Sequence, residues 1–127
     1  MTKRRAKHIA LMQWSIIKED FVNDEAHGID KNIVIYKEVA LNKLYTRDKI
    51  TLAEHDLIMH VSSCALCAYF NNKKINVRRH CPLSDGDYLC SCRAYYSLLD
   101  ANIKNDVLNE YRLINKIINL IKLWEVK

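Results

Sequence analysis

One proline and two glycines in 127 residues, apolar residues recurring at helical spacing over long stretches, and five cysteines confined to positions 64–92 predict the fold class. It is mainly α: a small, single-domain helical fold over residues 1–127 with a cysteine-ligated zinc knuckle and room for one short β-hairpin. Few breakers leave few places to end a helix. Half of the residues are apolar, enough for a modest core in a chain small enough for a metal to add useful stability.

Near the N-terminus, Ala10, Trp14, Ile17 and Phe21 follow i, i+4, i+7 and i+11. This predicts an amphipathic helix over residues 3–20 with Trp14 in the core. Residues 23–30, which include Gly28, read as a turn. The β-branched run Asn32-Ile-Val-Ile-Tyr36 could open a strand, but Glu38, Ala40, Leu41 and Leu44 are good helix formers and favour a second helix.

Thr51-Leu-Ala-Glu54 is a capping box, in which hydroxyl and carboxylate each satisfy the other residue's amide, so a third helix starts there. It is expected to run into Ser62-Ser63 and to carry Cys64 and Cys67 at its end. Residues 71–79 are polar and basic with Ile75 and Val77 alternating, which allows a strand or a loop. Pro82 and Asp85-Gly86-Asp87 mark turns. From residue 91 to 124 a helix is expected, broken near 100–106 where Asp and Asn cluster. Its stripe of Val107, Tyr111, Ile114, Ile118 and Ile121 supplies core, while the terminal Leu123 and Trp124 could serve an interface.

The cysteines stand as Cys64-Ala-Leu-Cys67, Cys81-Pro82 and Cys90-Ser91-Cys92. A CxxC turn brings two thiolates to one Zn²⁺, and a tetrahedral structural site takes two more from a return loop. An odd count and no secretion signal argue against a disulfide framework, and the flanks lack the βαβ context of a redox CxxC. Buried cysteines acting as small hydrophobes are the simpler alternative. Cys64, Cys67 and Cys81 are the expected ligands, with Cys90 or Cys92 as the fourth. Cys92 shares helical spacing with Tyr96, Leu99 and Ile103 and could face the core, which favours Cys90 as ligand. His60, at i to Cys64 and Cys67 at i+4 and i+7, and His80, beside Cys81, compete for the same place.

Twenty basic residues against 15 acidic give a net charge of +5, suited to an acidic partner and opposed to imitation of DNA by carboxylates. The basic residues gather at Lys3-Arg4-Arg5-Lys7 and at Lys73-Lys74 with Arg78-Arg79. The latter four are the candidate partner-binding residues, although such runs are commonly plain solvated surface. No apolar run reaches the roughly 18 residues of a membrane span, so the chain is expected to be soluble and, with reduced thiols, to work in the cytoplasm.

Catalytic signatures are missing. There is no HxE before PCxxC, no HExxH, no GxSxG, and two glycines cannot build a phosphate loop. Glu54-His55-Asp56 is rich in acid and base, but adjacent helical side chains diverge and Glu54 already caps. A four-cysteine zinc is coordinatively closed, so no enzyme is expected and no catalytic or organic-cofactor site is assigned.

A basic start, Trp14 on the first helix, Cys64-Ala-Leu-Cys67 followed by Tyr69-Phe70, Cys81-Pro82-Leu83 and a cysteine ahead of Tyr95-Tyr96 resemble small bacteriophage-encoded cysteine-rich proteins over residues 8–100. Within that group the chain looks most like the metal-binding type II-A anti-CRISPR proteins. It departs from the commoner spacing at Arg78, which leaves the second cysteine pair incomplete and the fourth ligand open. The resemblance implies an inhibitor, working in the host cytoplasm, that binds a Cas9-type effector by protein contact and blocks DNA loading or activation. The alternatives are a zinc-containing nucleic-acid-binding module, with Lys73, Lys74, Arg78 and Arg79 on phosphates, and an assembly protein.

Overall fold

The computed structural model describes residues 1–61, 63–76, 80–86 and 92–126. Its helices are α1 (Lys3–Ala26), α2 (Ile33–Thr46), α3 (Leu52–His60), α4 (Ala65–Lys73), α5 (Arg93–Ile103) and α6 (Val107–Leu123), with a 3₁₀ turn at Pro82–Ser84. No strand occurs among the described residues. The expected hairpin region begins inside α4, and positions 77–79 lie outside the described residues.

Each start has a chemical cause. The Thr2 hydroxyl accepts from the Arg5 amide at 3.0 Å, Asn32 caps α2 through the Ile35 amide at 3.3 Å, and Asp106 caps α6 through the Asn109 amide at 3.3 Å. At α3 the capping box is complete, with Glu54 N to Thr51 Oγ1 at 3.1 Å and Thr51 N to Glu54 Oε1 at 2.9 Å. The expected break in the last helix falls at Lys104 to Asp106, where Asn105 takes a left-handed φ of 54°.

Packing centres on α1, which touches α2, α4 and α6, while α5 lies against α6. Trp14, Ile17 and Phe21 are buried as the periodicity predicts, together with Ile9 and Ala6. Three readings change. α1 continues through the expected turn to Ala26, because His27 and Gly28 close it by hydrogen bonds to Asn23, Asp24 and Glu25. The Cys92, Tyr96, Leu99, Ile103 stripe is divided: Cys92 and Leu99 pack half-buried against the core, whereas Tyr96 and Ile103 are exposed. That helix buries Leu98 fully between Ala94 and Ala101, two small residues that let it approach its neighbours. Finally, α3 ends at His60, before the CxxC.

Candidate metal centre

The chain reverses at Ser63, whose left-handed φ of 57° is fixed by a 3.0 Å bond from its amide to the Ile58 carbonyl. Cys64 then stands as the N-cap of α4 and Cys67 in its first turn. The CxxC therefore opens a helix instead of ending one. Cys81 holds the matching place before the 3₁₀ turn, and Cys92 before α5.

Cys64 and Cys81 are buried, and Cys67 and Cys92 are half-buried. The Cys64 thiol is held well above its ordinary pKa, first by its hydrogen bond with Cys67 and then by burial. Burial pushes Cys81 up as well, and Cys64 and Cys67 add to it electrostatically. Cys64 and Cys67 are thus bonded through their side chains, and Cys81 lies within electrostatic reach of both. Acting the other way, the amides of Leu83 and Ser84 favour a Cys81 thiolate, and the Cys67 amide favours one at Cys64. None of these amides makes a geometrically complete side-chain cap.

A scaffold outside the sulfurs holds the two cysteine turns. Gln13, buried on α1, donates from Nε2 to the Ser63 carbonyl at 2.8 Å and to the Lys37 carbonyl at 3.1 Å. Ser84 donates from both Oγ (2.7 Å) and N (3.1 Å) to the Cys81 carbonyl. Leu83 is buried, and Asp85 pairs with Lys116 at 2.6 Å, so the 3₁₀ turn is fastened to α6. Tyr95 meets Trp14 edge-on at 6.2 Å and lies beneath the Lys37 ammonium at 4.2 Å. Its hydroxyl is pushed up to about 12 by burial and by the nearby Cys64 and Cys92. Lys37 also acts on Cys64, favouring the thiolate.

A soft dication takes thiolate donors, so these thiols are the side chains that would hold one. Among the described residues, no three His, Cys, Asp or Glu side chains are grouped as a ready coordination shell. Cys90, the favoured fourth ligand, lies outside the described residues. His60 and His80 are exposed, unlike Cys64 and Cys81.

Of the candidate partner-binding set, Lys73 and Lys74 are exposed at the C-terminal end of α4, and Arg78 and Arg79 lie outside the described residues. Tyr69, Phe70 and Trp124 stack on one another at 5.2 to 6.0 Å, with Lys3 over Trp124 at 4.8 Å. Sequence reasoning missed Gln13, Lys37 and Tyr95. For Lys37 a signal existed, because it sits at i+4 from Ile33 and i−4 from Leu41, a charged residue in an apolar stripe.

Among the described residues, no helix is long and apolar enough to cross a membrane. No known protein family, curated protein or solved structure matches the chain.

Proposed function

We propose that this chain is a non-catalytic binding protein, stapled by a structural Zn²⁺ on Cys64, Cys67, Cys81 and either Cys90 or Cys92. Its task is to inhibit a Cas9-type host defence effector by occupying an acidic protein surface, stopping DNA loading or activation. The observation that supports the staple is the hydrogen bond between the Cys64 and Cys67 side chains at the start of α4, with Cys81, ahead of the 3₁₀ turn, within electrostatic reach of both. Four thiolates would leave the metal no open position, so its contribution is to hold a rigid scaffold. The inhibitor class comes from the resemblance to small phage cysteine-rich proteins, and the positive balance of +5 fits an acidic target.

A nucleic-acid-binding module is the second reading, favoured by the exposed pair Lys73 and Lys74. Base stacking would need outward aromatic faces beside them. Phe70 is buried, and the half-buried Tyr69 and Trp124 pack edge-on or tilted against it and each other, which supports the protein target instead.

The deciding experiment adds the purified, metal-replete protein to a guide-loaded Cas9-type effector and follows both complex formation and DNA cleavage. Inhibition that survives nuclease treatment, and weakens on charge reversal of Lys73, Lys74, Arg78 and Arg79 with zinc content unchanged, supports the reading. Absence of binding and of inhibition, with a salt-sensitive shift of bare DNA, replaces it with the nucleic-acid module.

A further inference from the structure

His8, Leu11, Met12 and Ser15 follow i, i+3, i+4 and i+7 along α1 and border a shallow groove of about 350 Å³ against the end of α2. Ile16 and Leu44, both buried, form its floor with the half-buried Leu11 and Met12. Its rim carries His8, Arg47 and Lys49, and no carboxylate lines it. Of the acids close by in sequence, two are paired, while Asp48 and Glu19, the latter exposed one turn beyond Ser15, lie outside the lining. Asp20 accepts from Lys43 at 2.8 Å, and Glu54 from Arg5 at 2.7 Å. Arg5 also donates to the Lys49 carbonyl at 2.7 Å, which anchors the rim loop to α1.

We propose that this groove docks an acidic amphipathic helix of a partner protein. Such a helix presents apolar anchors at i, i+4 and i+7, which match a trough with an apolar floor, and flanking carboxylates, which match the cationic Arg47 and Lys49 of the rim. Met12 suits the role because its unbranched thioether adapts to the side chain it receives. A nucleic acid would leave the apolar floor unused and would find no Phe, Tyr or Trp to stack on. The surface is separate from Lys73 and Lys74, so it stands or falls independently of the partner surface proposed above.

The test selects binders from a random peptide library on the folded, full-length protein, then measures the enriched peptides by fluorescence anisotropy and maps them by NMR. Enrichment of acidic sequences with helical apolar spacing is expected, with shifts centred on Leu11, Met12 and Leu44. Affinity should fall at least about tenfold in the exposed-rim double variant R47E/K49E and in M12E, and should be unchanged in K73E/K74E. Melting curves establish that each variant folds; the rim variant decides if M12E does not. Neutral or basic winners, no winners, or binding that survives R47E/K49E overturns the proposal. Loss of binding in K73E/K74E moves the interface to α4. Tighter binding of duplex DNA or anionic phosphatidylserine vesicles at this groove also rejects a peptide occupant.

Discussion

The Lys37 ammonium lies 4.2 Å from the centre of the Tyr95 ring, on a face of α2 whose other buried members include Ile33, Ala40, Leu41 and Leu44. The lysine is only 8% exposed, a placement that costs desolvation unless negative charge or an aromatic face answers it. Beside Cys64 it would balance part of the charge of a zinc tetrathiolate. Lys37→Met, similar in length, is therefore expected to lower Zn²⁺ affinity about 10- to 100-fold while helical content is retained. Lys37→Arg should recover much of the loss. Competition with a chromophoric chelator measures both, and equal affinity in all three proteins would reduce Lys37 to a packing stem.

For the thiols themselves, Cys64→Ser, Cys67→Ser and Cys81→Ser should each abolish stoichiometric zinc and strongly lower the melting temperature. Structural zinc in small modules contributes about 10 to 16 kcal/mol of apparent binding free energy. Strong chelators should melt the wild type in the same way. Cys90→Ser and Cys92→Ser should differ, because one of them is spare. Metal analysis of protein purified without added zinc is the check: a ratio near zero returns the cysteines to a role as small core residues.

Gln13 ties the Ser63 and Lys37 carbonyls together through one amide nitrogen, while its Oε1 is buried without a hydrogen-bond partner. Gln13→Leu strips both carbonyls of this donor but also removes the lone acceptor. A net loss of about 1 to 3 kcal/mol is expected. Gln13→Glu should cost more at neutral pH, since it faces the same carbonyls with an acceptor. Urea denaturation with an unchanged slope reads the effect, and a Leu variant as stable as the wild type would show that Gln13 positions nothing.

Arg5 grips Glu54 from Nε at 2.7 Å and Nη2 at 3.0 Å, and lowers its pKa from 4.5 to about 2. A folded-state pKa below the unfolded one adds stability above pH 4.5, and that stability disappears as pH falls toward 2. After solvent screening about 1 kcal/mol is expected. Glu54→Gln keeps an acceptor for the Thr51 amide and removes the charge. Its stability deficit at pH 7 should close progressively between pH 4.5 and 2; a deficit independent of pH would assign the effect to packing.

Local chemistry made much of the architecture legible in the sequence. The α1 stripe through Trp14, the box at Thr51 and Glu54, and the Asn105 break all depend on residues within a few positions of each other. The cysteine spacing likewise singled out Cys64, Cys67 and Cys81; the first two share the opening turn of α4, and Cys81 lies within electrostatic reach of them. Other features depend on where distant elements arrive. Whether CxxC ends α3 or opens α4 rests on Ser63 turning left-handed onto the Ile58 carbonyl, and the buried face of α5 on the room that Ala94 and Ala101 leave on either side of Leu98. Burial of Lys37 required Tyr95 to come from α5, and burial of Gln13 required two carbonyls from α2 and the Ser63 turn. A polar side chain enters a core only where another part of the chain supplies its partner, and that supply is a property of the tertiary structure.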